Sequence, residues 1–172
     1  MAGLGSAKEI REASENVVEF AFGNVGDRSA EAIAELSRRA DAGEYLALIE
    51  LAAAYTDPET LHNLDLAYQY ACRAAETGNT EALCLAGKIA YLSGRYDAAF
   101  SWFERGAALK NTDCEFMVGA CYLLGLGCEV DGGKAMVMLN RVYKKEGDVD
   151  GLSEVIEAIY RRASELAEGK EK

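Results

Sequence analysis

The sequence predicts an all-α fold, a right-handed superhelical solenoid of antiparallel helix pairs. Three observations carry that expectation. Gly43-Glu44-Tyr45-Leu46-Ala47, Gly78-Asn79-Thr80-Glu81-Ala82 and Lys110-Asn111-Thr112-Asp113-Cys114 fall into one frame, which also lays Ala52 over Gly87 and Gly119 and Tyr55 over Ala90 and Tyr122. Ala32, Ala67, Ala99 and Ala135 mark a second helix in each unit, 35, 32 and 36 residues apart. Each is followed six residues later by an arginine: Arg38, Arg73, Arg105 and Arg141. Self-similarity at such a period is the mark of stacked helical repeats. Finally, half the 172 residues are apolar and only one is proline, a composition that suits packed helices and argues against disorder.

The elements follow in order. Helices are expected over 6–22, 29–42, 44–56, 63–77, 80–93, 96–109, 112–125, 132–146 and 150–168. The repeat units are then 6–42, 43–77, 78–109 and 110–148, with 150–168 as a closing helix, all in one domain. The first helix carries Ile10, Ala13, Val17 and Phe20 at helical spacing, and the last carries Leu152, Val155, Ile156, Ile159, Ala163 and Leu166. Each backs its apolar stripe with a charged face, as the ends of a solenoid must. Between the units, Gly78 can take the left-handed backbone that closes a helix, and Asn79 or Thr80 can cap the next one. Glycine inside a helix costs about 1 kcal/mol relative to alanine. Gly87 and Gly119 are therefore expected where helices approach closely, with Ala67, Ala74 and Ala75 serving the same need. Tyr68, Phe103 and Leu139 should fill the space beside these small residues.

Charge narrows the partners. The formal net charge is −11, and the acids gather at the two ends while residues 61–110 carry five acids and five bases. Such a chain repels phosphate backbones, so nucleic acid is not expected as a partner. No apolar run reaches the roughly 20 residues that span a bilayer, so no membrane partner is expected. "MAGLGSAKEIREASE" turns charged too early for a signal peptide, and Gly3 does not fit a myristoylation site. A cytoplasmic protein is expected.

Chemistry is sparse. Cys72, Cys84, Cys114, Cys121 and Cys128 form no C-x-x-C pair, and His62 is the only histidine. Five reduced, mostly buried thiols are expected, with no metal site and no cofactor. His62 reads as a solvated loop residue. None of the phosphate-loop, nucleophile-elbow or zinc-protease motifs is present. "GLGCEVDGG" at 125–133 is glycine-rich but lacks the lysine-serine end and the preceding strand of a phosphate loop. The repeat arginines read as a solvated face with local ion pairs to acids such as Glu35, Glu76 and Glu104. Trp102 and Tyr70 occupy matching positions and read as helix packing.

The stretches "AYQYACRAAETGNTEALCLAG" and "AAFSWFERGAALKNTDCEFMVGACYLLGLGCEVDGGKA" resemble Sel1-like repeats, relatives of the tetratricopeptide repeat. The resemblance is clear over residues 28–148. The turn "GRYD" at 94–97 is closer to a tetratricopeptide turn, and "TDPETLHNLD" at 56–65 is irregular. Secreted cysteine-rich members join helices through cysteines eight residues apart. Cys114 stands at one such position here, but Gly106 stands at the other, so the resemblance carries no disulfide over.

The resemblance also implies that the first helix of each unit lines the concave side. Counted from Ala52, Gly87 and Gly119, the groove positions are Ile49 and Ala53, Cys84 and Lys88, and Phe116 and Ala120. One turn further come Thr56, Tyr91 and Leu123, with Leu92 and Leu124 adding apolar bulk. The alternative, that Ile49, Cys84 and Phe116 pack between helices, stays open. The reading is a non-catalytic scaffold that holds a protein or peptide segment, basic or amphipathic, as an adaptor, a chaperone-like holder or a toxin-neutralising immunity protein. The competing classes are a regulatory subunit or enzyme with an unrecognised cleft, and a protein that self-assembles through the solenoid ends.

Overall fold

The structure, a computed structural model, describes residues 29–57, 61–146 and 161. Seven α-helices and no strand are described within residues 29–146: α1 (Ala30–Asp41), α2 (Tyr45–Thr56), α3 (Leu64–Ala75), α4 (Thr80–Leu92), α5 (Tyr96–Ala108), α6 (Thr112–Leu124) and α7 (Gly132–Glu146). Each packs chiefly on its neighbours in sequence, which is the contact pattern of a solenoid. The helices expected over 6–22 and 150–168 lie outside the described residues.

The caps explain the boundaries. Ser29, Asn63, Asn79 and Asn111 each accept a backbone N–H of the first turn through the side-chain oxygen, so Asn79 rather than Thr80 starts α4. Gly78 closes α3 in the left-handed region at φ 79°. Lys110 takes the same conformation at φ 63°, at the repeat position where glycine stands in the earlier units.

Two kinds of helix alternate. α2, α4 and α6 are apolar around most of their circumference. In α4, Ala82, Leu83, Cys84, Leu85, Ala86, Gly87, Ile89 and Ala90 are all buried. α1, α3, α5 and α7 are one-sided: α3 buries Ala67, Ala71, Ala74 and Ala75, packs Tyr68 and Tyr70 half-buried against the core, and leaves Asp65 and Gln69 exposed. The first helix of each unit thus forms the inner layer and the second covers it.

The glycine expectation holds at both positions. A Cβ on Gly87 would lie 2.4 Å from Phe103 Cε1, and one on Gly119 would lie 3.0 Å from Leu139 Cδ2. Phe103 and Leu139 are fully buried large side chains. In these two units a large residue of the second helix therefore sits where the first helix has no side chain.

Candidate interaction site

The expected groove positions divide into two sets. Ala53, Thr56, Cys84 and Leu123 are buried, at 6%, 4%, 4% and 6% exposure, which differs from a role as contact residues. Leu123 packs against Ala135 with Tyr122, Leu124 and Met136 around it. Thr56 donates its hydroxyl to the Ala52 carbonyl at 2.7 Å, back-bonding within its own helix. For Cys84 the packing alternative applies: it belongs to the cluster with Phe103, Cys114 and Val118. Ile49, Lys88, Tyr91, Leu92, Phe116, Ala120 and Leu124 are half-exposed.

The second set is held in place. The Tyr91 ring meets Tyr96 edge-on at 5.6 Å between centroids, and burial pushes the Tyr91 hydroxyl pKa up. Lys88 Nζ stands 3.6 Å from Asp113 Oδ2, so a charge on α4 is paired to the start of α6. Apolar side chains of two successive inner helices and one cation between them make a surface for an apolar segment with a polar handle.

The loop after α6 limits that surface. A Cβ on Gly127 would lie 2.2 Å from the Tyr96 carbonyl oxygen, so residues of "GLGCEVDGG" lie directly on the start of α5. Leu126 and Cys128 pack against the same cluster as Tyr91. Gly127 is required there by both space and its φ of 71°. Packing between units thus accounts for Gly127, and the left-handed cap at φ 69° that closes α6 accounts for Gly125.

Glu115 is the residue the sequence reading missed. It is fully buried on α6, accepts from Arg141 Nη1 at 3.2 Å and from Lys145 Nζ at 2.6 Å, and so ties α7 to α6. Lys145 also donates to the Lys110 carbonyl at 3.2 Å. Burial pushes the Glu115 carboxyl up, but the hydrogen bonds and charges of Lys145 and Arg141 outweigh it and hold the pKa below its ordinary value. The signal in the sequence is the arginine at the repeat position, Arg141, whose partner is this buried acid and not an exposed one. Arg38 does pair with Glu35. Arg73, however, reaches the Ala40 carbonyl at 2.6 Å and Asp41 at 3.3 Å instead of Glu76. Arg105 lies 4.3 Å over the Trp102 ring instead of pairing with Glu104. Trp102 in turn donates to the Tyr68 hydroxyl at 3.1 Å, linking α5 to α3 as packing.

Among the described residues no group of three or more His, Cys, Asp or Glu side chains is placed to hold a metal, and no helix is long and apolar enough to cross a membrane. All five cysteines are free thiols. His62 is exposed in its loop.

These contacts define a helical-repeat solenoid, each unit buried only by its neighbours. No protein-family model matches the chain, and no curated protein matches it. Among solved structures it is similar to a Sel1 repeat protein from Oxalobacter formigenes, at 25% identity and a TM-score of 0.53, covering 74% of this chain and 98% of that one. It is also similar in fold to a protective antigen of uropathogenic Escherichia coli strains that displays an SLR fold, at 16% identity and a TM-score of 0.59, covering 91% of this chain and 40% of the antigen. The chain therefore spans well under half of the antigen's length. The chain thus shares the fold of Sel1-like repeat proteins, and such solenoids are in general protein-interaction scaffolds.

Proposed function

We propose that the chain is a non-catalytic, cytoplasmic scaffold that holds a protein segment along α4 and α6, as an adaptor, a chaperone-like holder or an immunity protein. One observation carries this: Tyr91, Leu92, Phe116 and Leu124 stay half-exposed on α4 and α6, whose apolar residues Leu83, Leu85, Ile89, Val118 and Leu123 are buried. Lys88 lies among them and its pair with Asp113 can open to orient a partner carboxylate. The acidic remainder of the chain favours a segment that is basic or amphipathic overall. The same fold read as an enzyme would need a base, nucleophile or metal converging on a cleft, and among the described residues no group of three or more His, Cys, Asp or Glu side chains is placed to hold a metal.

The test is a calorimetric titration of variants against a partner recovered from native lysate. Aromatic anchors at the centre of an interface cost about 2 kcal/mol when truncated, roughly thirtyfold in affinity. Tyr91→Ala and Phe116→Ala should each show a loss of that size. Arg73→Ala, on the outer layer, should bind as the parent does. The reverse pattern would move the site to the outer face and sink this proposal. Leu123→Asp is unsuitable as a probe because it would place a charge in the core.

A further inference from the structure

We propose that Cys84 and Cys114 form an oxidisable dithiol that a hydroperoxide converts to a disulfide between α4 and α6, the inner helices of consecutive units. The two thiols are buried at 4% and 0% exposure in one packed cluster, which also holds the buried Cys121 and has the half-exposed Cys128 against it, while Cys72 is not part of it. They are close enough for Cys114 to hydrogen-bond Cys84. An independent contact fixes the same approach: Lys88, one turn beyond Cys84, pairs at 3.6 Å with Asp113, the residue before Cys114. Gly106 makes room for the arrangement, since a Cβ there would lie 2.3 Å from Cys114 Sγ. The pair is not the one that the cysteine-rich members of the family use, whose second position is Gly106 in this chain.

The two sulfurs are unequal. The hydrogen bond from Cys114 and the Lys88 ammonium lower the Cys84 pKa against the opposing effect of burial. Donating that bond and being buried both raise Cys114. Cys84 is therefore the nucleophile and Cys114 the resolving thiol. The Cys84 thiolate attacks one oxygen of the hydroperoxide, the O–O bond breaks, and the alkoxide or hydroxide leaves and takes up the proton that Cys84 gave up. Cys84 now carries a sulfenic acid. Cys114 sulfur then attacks Cys84 Sγ, the S–O bond breaks, and the departing hydroxide takes the Cys114 proton as water. Two thiols and one hydroperoxide give one disulfide, one alcohol or water, and one further water. The sulfurs lose two electrons and the peroxide gains them. The new bond fixes the separation of α4 and α6, the two helices that carry Lys88 and Phe116.

The test uses the full chain, reduced and then treated with a small molar excess of hydrogen peroxide at pH 7. Remaining thiols are alkylated and the protein is digested with trypsin without reductant. The expected product joins peptide 74–88, whose only cysteine is Cys84, to peptide 111–134, which holds Cys114, Cys121 and Cys128. Cys114→Ser should abolish that product and leave a sulfenic acid at Cys84 that dimedone traps. Cys121→Ser and Cys128→Ser should leave the product intact. Lys88→Gln should slow its formation about three- to tenfold by reducing the thiolate fraction. A link confined to 111–134, a 74–88 link that survives Cys114→Ser, or over-oxidation of Cys84 with no link in the parent would each overturn the proposal. Circular dichroism of each variant before oxidation verifies that the comparison is made on folded protein.

Discussion

Replacing Gly87 by alanine sets two effects against each other. Helix propensity favours the change by about 1 kcal/mol. Packing opposes it: the new Cβ would lie 2.4, 2.6 and 3.0 Å from three ring atoms of Phe103. Ordinary carbon contacts lie at about 3.5–4.0 Å, so the ring must retreat by about an ångström. Phe103 is fully buried, and its ring is rigid, so the retreat passes into α4 and α5 together. Overpacking of this kind costs about 1–3 kcal/mol, and a rigid ring puts the cost near 3. The net destabilisation is then about 2 kcal/mol. For a chain of this size that corresponds to a fall in Tm of about 4–8 °C. Thermal unfolding followed by circular dichroism reads it. Gly119→Ala is the internal control. Its Cβ would meet Leu139 at 3.0 Å, and leucine can change rotamer, so the propensity gain should roughly cancel the strain. The double variant Gly87→Ala/Phe103→Leu should be more stable than the sum of its single changes by about 2 kcal/mol. A Tm that rises in Gly87→Ala, or strict additivity in the double variant, would refute the close-approach account.

Other expectations follow from the same contacts. Lys110→Gly relieves a left-handed backbone at φ 63° and should stabilise by about 1 kcal/mol in urea unfolding. Glu115→Gln should destabilise by about 1–2 kcal/mol at pH 7, below the full value for a broken buried pair because Arg141 and Lys145 can turn to solvent. Because the folded pKa of Glu115 is depressed, its contribution is complete above the ordinary value of 4.5 and is lost as pH falls below it, so the parent should lose stability there more steeply than Glu115→Gln. Thiol counting on protein purified and unfolded without reductant should find five free cysteines, and a count of one or three would point to an oxidising compartment.

The layout was legible because it rests on local, periodic signals. The expected bounds of the seven described helices agree with the structure to within two residues, from the caps at Asn79 and Asn111 to the left-handed Gly78. Gly87 and Gly119 announced their packing role because nothing in helix propensity accounts for them. The site was less legible. Register along a helix says which residues share a face, but not which other element covers that face. Leu123 and Phe116 lie on the same helix, yet Ala135 of α7 covers the first and the second stays half-exposed. The same holds for Glu115. Its position on α6 carries no sign of burial, and only the return of Arg141 and Lys145 across the turn reveals why a carboxylate can sit in the core.

This division between local and non-local information decides how the scaffold can be probed. An inner helix packs on the helix before it and the helix after it, so adjacent side chains on it serve different interfaces. Cys84 joins the cluster of the next unit while Leu83 and Leu85, its flanking residues, join the preceding one. A loss of binding from such a position cannot be separated from a loss of stacking. Tyr91 and Phe116 are different because part of each side chain touches neither neighbour. Binding losses at those two, with the melting curve held, report contact. Losses at Ala53, Thr56 or Leu123 report the stack. In a solenoid stabilised by nearest-neighbour interfaces, that distinction follows from exposure within the inner layer rather than from position in the repeat.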